Sequence, residues 1–325
     1  MELLDLAITN LTTPMVLAFV LGALAAVIGS DLRIPDQVYG LLTIYLLFSI
    51  GLKGGVALSE ASLGELWRPM IAAVALSLLI PLVVYAFTRV GGRLAVPDAA
   101  ALAAHYGSVS VVTFTAGTAF LTAANVPYEG FMPSLLAVME VPAILVALVL
   151  ARTRAPAAGG ELGDALKEVV TGRSIVLLIG GLAIGALAGR DGIQPVAPVF
   201  IDLFSGMLTL FLLEMGIIAA SRMRDLRRNG AFVVVFGVTT PIVAGTVGAM
   251  AGSISGLSLG GSTLLAILAA SASYIAAPAA VRLALPDANP AIYLTASIGV
   301  TFPFNLTLGI PLLHQIAKLF QGIGD

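Results

Sequence analysis

The sequence predicts an all-α polytopic membrane protein of about ten transmembrane helices, built as two inverted five-helix repeats with broken or crossing helices 4 and 9. Three observations lead there: a composition that only lipid can solvate, a run of apolar stretches separated by polar punctuation, and a correspondence between the two halves of the chain. Apolar residues fill 59% of the 325 positions and charged residues 10%, against about 45–50% and about 25% in a soluble domain. Too few polar residues remain to cover a water-facing surface, so a lipid bilayer is the expected solvent. Cysteine is absent, which removes disulfides, thiol nucleophiles and thiolate metal sites, and His105 and His314 alone leave little for zinc. A net charge of −2 argues against a nucleic-acid partner.

A spanning helix needs about 20 mostly apolar residues. Such stretches run over 11–29, 37–58, 67–90, 99–123, 130–151, 173–189, 195–220, 229–252, 262–285 and 290–320. The first is preceded by Glu2 and Asp5 and by no Lys or Arg, so it reads as a permanent helix rather than a signal peptide. With ten alternating spans, Lys53, Arg68, Arg190 and Lys318 fall on one face and the other 12 basic residues on the opposite one. The richer face is cytoplasmic by the positive-inside rule, which places both termini outside the plasma (inner) membrane.

The longest polar connection, 152–172, divides the chain into a first unit, 1–151, and a second, 173–325. It carries a short helical candidate, Glu161–Val170. Across it the halves correspond. Glu65-Leu-Trp-Arg68 matches Asp225-Leu-Arg-Arg228, and the same shift of 160 pairs Gly29 with Gly189, Pro81 with Pro241 and Gly92 with Gly252. At a shift of 163, Gly107-Ser-Val-Ser110 meets Ala270-Ser-Ala-Ser273, and Pro127 meets Pro290. Five helices per half is odd, so the second half enters the membrane from the opposite side, the inverted-repeat plan of secondary transporters.

The fourth and ninth spans carry the chemistry. Gly107, Ser108, Val109 and Ser110, and their mates Ala270, Ser271, Ala272 and Ser273, lie in stretches dense in small and hydroxyl residues. Gly107 and Pro278 permit a break in each helix. Two half-helix N-termini could then face one another, each with roughly half a positive charge and several free N–H donors. With four serine hydroxyls, that arrangement would hold a small oxyanion without an arginine. Packing glue is the other reading of such serines; a matching pair at equivalent places favours the site. An acid inside a span is the next signal. Glu140 lies mid-span in Ala137-Val-Met-Glu-Val-Pro142, and Thr301, Asn305 and Thr307 occupy the corresponding part of the tenth span. Thr113, Glu140 and Asn305 form an oxygen set suited to sodium. The competing reading of Glu140 is a protonated, hydrogen-bonded carboxyl that only ties helices together. Asp202, near a boundary, and Glu214 are weaker candidates, and His105 reads as a packed polar residue. No enzyme is expected: His105 and Ser108 stand three apart on one helix, but no G-x-S-x-G elbow accompanies them. A proton antiporter would want aspartates inside 99–123 or 262–285, where none occurs in the interior.

Three segments together resemble the cyanobacterial sodium-dependent bicarbonate transporter family (SbtA) over essentially the whole chain. They are Gly107-Ser-Val-Ser-Val-Val-Thr-Phe114, Ala270-Ser-Ala-Ser-Tyr-Ile-Ala-Ala-Pro278 and Tyr45-Leu-Leu-Phe-Ser-Ile-Gly-Leu-Lys-Gly-Gly55. The resemblance implies sodium-coupled bicarbonate uptake by a homotrimer, with an elevator-like core (helices 3–5 and 8–10) sliding against a gate (helices 1, 2, 6 and 7). It places bicarbonate between the crossing segments. It also implies a P-II-like cytoplasmic regulator for some members, whereas the central loop here is short. A sodium-coupled carrier of another small anion such as a carboxylate, or an anion channel, are the alternatives.

Overall fold

The computed structural model describes residues 8, 10–154, 163, 167, 170–223 and 226–322. Most of the helical candidate at 161–170 lies outside the described residues. Those described form twelve helices and no strand. The first six are α1 (Pro14–Ile28), α2 (Asp36–Glu60), α3 (Leu63–Val90), α4 (Val96–Gly107), α5 (Val111–Ala123) and α6 (Met132–Arg154). There follow α7 (Arg173–Ile193), α8 (Phe204–Met223), α9 (Leu226–Ile254), α10 (Leu259–Ala270), α11 (Ala276–Ala284) and α12 (Pro290–Phe320), the last carrying π-type turns at Thr295–Thr301 and Asn305–Gly309.

Local sequence sets many boundaries. Thr13 caps α1 just before Pro14, and Gly29 ends it in the left-handed region at φ 74°. Ser62 and Glu65 close a reciprocal capping box at the start of α3. Gly189, the residue paired with Gly29 by the shift of 160, also has positive φ, 64°, and kinks α7.

Eight helical runs, counting α4 and α5 together, are long and apolar enough to cross a membrane. Two of the ten predicted spans fall short of that length. The first is the 15-residue α1. The ninth starts earlier than predicted, at Leu259, and splits into α10 of 12 residues and α11 of 9.

The helices pack as two sets. α1 lies along α8 and α2 along α7. Close approach at α2 and α7 comes from facing G-x-x-x-G pairs, Gly51 with Gly55 and Gly181 with Gly185. A Cβ on Gly55 would stand 2.1 Å from the Leu182 carbonyl oxygen, and one on Gly185 2.2 Å from that of Leu52. Gly51 meets Leu178 and Gly181 while Gly55 meets Leu182 and Ala186, so the two helices run parallel. In the other set, α3, α4 and α6 pack together, as do α9, α10 and α12. Residues 99–117 and 260–273 are buried throughout. Irregular backbone inside a membrane requires that enclosure, because lipid cannot satisfy its N–H and C=O groups.

Candidate functional site at the helix breaks

The fourth and ninth spans are both interrupted, and the interruptions touch. α4 stops at Gly107 and α5 begins at Val111; α10 stops at Ala270 and α11 begins at Ala276. The first residue of each break adopts nearly the same conformation: Ser108 at φ −81°, ψ 172° and Ser271 at φ −85°, ψ 165°. Across the crossing, the Ser110 N–H donates to Ser271 Oγ at 2.9 Å, and the Ser273 N–H donates to the His105 carbonyl at 2.7 Å. Gly107 has no room for a side chain, since a Cβ would lie 2.8 Å from Pro81 and 2.9 Å from Ala143. The break falls C-terminal to Gly107 as expected, whereas Pro278 sits inside α11 and the second break precedes it.

All four serines are buried and engaged. Ser108 Oγ donates to the Glu140 carbonyl at 3.0 Å, and Ser271 Oγ donates to that of Leu268 at 2.8 Å. Ser273 Oγ accepts from the Ala277 N–H at 3.3 Å. Ser110 caps α5 by accepting from the Thr113 N–H at 3.1 Å, accepts again from Thr113 Oγ1 at 2.9 Å, and donates to the Tyr274 hydroxyl at 3.0 Å. Tyr274 thus receives a proton from Ser110 and keeps its own O–H to give. Such chains polarise one another in low dielectric. This one ends on a donor.

A small cavity of about 10 Å³ lies at this point, lined by Val109, Ser110, Val111, Glu140, Ser273, Tyr274 and Ile275. That is room for about one water. Glu140 is buried, and its Oε2 has no hydrogen-bond partner. Tyr274, at the end of the hydroxyl chain, and Glu140, which carries an unpartnered oxygen, thus line the same cavity. Thr113 belongs to the arrangement through Ser110. Asn305 stands apart from that lining: its Nδ2 donates to the Ala270 carbonyl at 2.9 Å, and its buried Oδ1 lacks a partner. Each break is thus served by the following span, which carries a bare buried oxygen beside it, Glu140 Oε2 in α6 and Asn305 Oδ1 in α12. Among the described residues no three His, Cys, Asp or Glu side chains cluster, so a cation here would meet one carboxylate and otherwise neutral oxygens.

The other candidates are structural. Thr301 Oγ1 donates to the Gly237 carbonyl at 2.6 Å and Thr307 Oγ1 to that of Pro303 at 2.7 Å. Glu214 accepts from the Ile34 N–H at 3.1 Å, and Asp202 lies in the π-type turn Pro198–Asp202 ahead of α8. His105 is packed as expected, with Nδ1 donating to the Ala101 carbonyl at 2.7 Å and its ring 4.6 Å from that of Tyr293.

Residues 14–318 match the family model of the Na+-dependent bicarbonate transporter superfamily. The chain belongs to this superfamily. A search of curated proteins finds no match. Membership supports sodium-coupled bicarbonate transport, in a transporter and not an enzyme family, with sodium as the coupling ion rather than a resident cofactor. For such a transporter, reasoning from the sequence missed Tyr274, although it stood inside the Ser271–Ile275 stretch. An aromatic beside a Ser-x-Ser pair reads as packing until its hydroxyl is seen to close a chain.

Proposed function

We propose that bicarbonate and sodium are carried together from the meeting point of the two breaks. Bicarbonate would take donors from Gly107–Ser110 and Ala270–Ser273, with the Tyr274 hydroxyl among them. Sodium would take the Glu140 carboxylate, with Thr113 and Asn305 as the further oxygens. The observation that carries this reading is the cavity lined both by Ser110 and Tyr274 of the hydroxyl chain and by Glu140, whose Oε2 is buried and unpartnered. Opposite charges bound side by side offset one another where the dielectric is low.

The remaining architecture belongs to the same proposal. The matched dihedrals at Ser108 and Ser271, and the positive φ at both Gly29 and Gly189, support two inverted repeats, 1–151 and 173–325. Cavities of about 500 and 320 Å³ lie where α1, α2 and α8 meet α5, α6 and α12, which supports a gate and a core able to slide past each other. The basic-residue bias supports cytoplasmic placement of the 152–172 connection and outward termini. Assembly as a homotrimer, and control by a P-II-like protein, rest on the family resemblance alone. With one sodium per bicarbonate the cycle would be electroneutral, and only the sodium gradient would drive it.

The test is uptake of labelled bicarbonate into proteoliposomes with and without an inward sodium gradient. Sodium-driven accumulation that Ser108→Ala and Ser271→Ala each weaken by about 10- to 150-fold in apparent affinity is expected, the span of one lost hydrogen bond to a charged ligand. Unchanged affinity in both variants would make the serines packing residues. A carrier also shows trans-stimulated exchange, which a channel lacks.

A further inference from the structure

Lys53 is a charge that the site just described does not use. It stands in Gly51-Leu-Lys-Gly-Gly55 on α2, and α2 divides its faces sharply. Gly51 and Gly55 press on α7, and Gly54 on Pro133 of α6. Ile50, Lys53 and Ala57 line the cavity of about 500 Å³, whose far wall includes Phe114, Thr118, Thr122 and Tyr128. Seven residues separate Lys53 from the end of α2 at Glu60, which is about 10 Å along a helix. An ammonium at that depth must be hydrated or paired. Lys53 forms no ion pair among the described residues. Its ammonium stands 4.1 Å from the Phe204 ring centre, and Asp202 is the acid whose charge it feels.

The cavity abuts a second one across the packed pair Ala57 and Gly130. That second cavity, of about 610 Å³, lies at the face bearing Glu60, Glu65, Arg68 and Glu129. The three acids there are already held. Glu60 pairs with Arg190 at 2.9 Å, Glu65 accepts from the Ser62 N–H, and Glu129 accepts from the Ser258 N–H at 2.6 Å. At the inner end Phe114 stands one helical turn from Ser110 of the break. The Lys53 cavity therefore lies between that face and the first break.

We infer that Lys53 holds a small oxyanion in the vestibule between α2 and α5, a station ahead of the site at the breaks. The ligand class is a monovalent anion with several acceptor oxygens, met by the Lys53 ammonium, since Thr118 and Thr122 on the far wall already donate to the Thr115 and Thr118 carbonyls. The assignment of bicarbonate as that anion, and of this face as the outer one, rests on the transport reading above.

Two measurements on the full-length protein test it. The first is modification of Lys53 in detergent by a sulfonated amine-reactive ester, read by peptide mass spectrometry. Bicarbonate should slow modification of Lys53 and leave Lys318 unaffected, whereas bulky gluconate should slow neither. The second is uptake at saturating sodium by Lys53→Gln and Lys53→Cys. Half-saturating bicarbonate should rise about fivefold, between the effect of an exposed ion pair and that of a focused cleft, with the maximal rate and the sodium dependence retained. The natural chain has no cysteine, so an aminoethyl thiosulfonate would restore a cation at position 53 alone, and with it the wild-type half-saturation. Equal modification of Lys53 with and without bicarbonate would overturn the inference, as would wild-type kinetics in Lys53→Gln. Failure of the break site would show differently: wild-type uptake would be absent while Lys53 stayed protected.

Discussion

The two breaks share a plan and differ in how firmly they are held. The first spans the three residues between Gly107 and Val111, and Ser110 alone ties it to Thr113 twice and to Tyr274 once. Every residue around it is buried. The second spans five residues, Ser271 to Ile275, and the helix after it begins at Ala276 without a side-chain cap from Ile275. The only side-chain bond that ties it to the helix after it is the long one from the Ala277 N–H to Ser273, and Tyr274 and Ile275 are only half-buried. Bicarbonate does not fit a space of about 10 Å³, so at the proposed site one wall would have to give. The difference teaches which wall that is. On that proposal the first break would be the fixed jaw and the second the adjustable one.

The largest test of that contrast is stability. Ser110→Ala removes a helix cap and leaves the buried Thr113 and half-buried Tyr274 hydroxyls short of a partner, so it should cost roughly 2–4 kcal/mol. Ser273→Ala removes one weak bond and should cost about 1 kcal/mol or less. Thermal unfolding of the two variants in the same detergent checks the order, and equal shifts would erase the distinction between the jaws.

Ligand affinity comes next. Tyr274→Phe keeps the ring, including its edge-on contact with Phe302 at 5.4 Å between centroids, and deletes only the donor. Half-saturating bicarbonate should rise by about tenfold or more, the effect of a lost hydrogen bond to an anion. An unmoved value would mean that the donor chain ends in packing.

The smallest and sharpest test separates the cation from the anion. Glu140→Gln preserves shape and the Glu140 carbonyl that accepts from Ser108. Half-saturating sodium should rise several-fold, with expression retained and bicarbonate affinity at saturating sodium nearly intact. A sodium titration of uptake that superimposes on wild type would leave Glu140 as a helix tie. Thr113 and the unpartnered Asn305 Oδ1 would then be the oxygens to examine.

Much of this architecture was legible in the sequence because hydropathy and punctuation act locally. An apolar run of spanning length must be a helix in lipid, since nothing else there satisfies the backbone, and Thr13-Pro14, Gly29 and Ser62-x-x-Glu65 mark helix ends through their own caps. The paired Ser-x-Ser segments located both breaks for the same reason: small and hydroxyl residues are what an interrupted, enclosed helix needs. Three-dimensional packing decided the rest. No local rule says that Ser110 donates a hydrogen bond to Tyr274, which is 164 positions away, or that Asn305 bonds Ala270 while Glu140, which lines the cavity, keeps a bare oxygen. Nor does one say that Lys53 turns toward the vestibule while its neighbouring glycines press on α7 and α6. The sequence determined which residues are polar inside an apolar span. Their partners lie on other helices, and the direction of each side chain depends on the rotation of its helix against its neighbours, which only the packed tertiary structure sets.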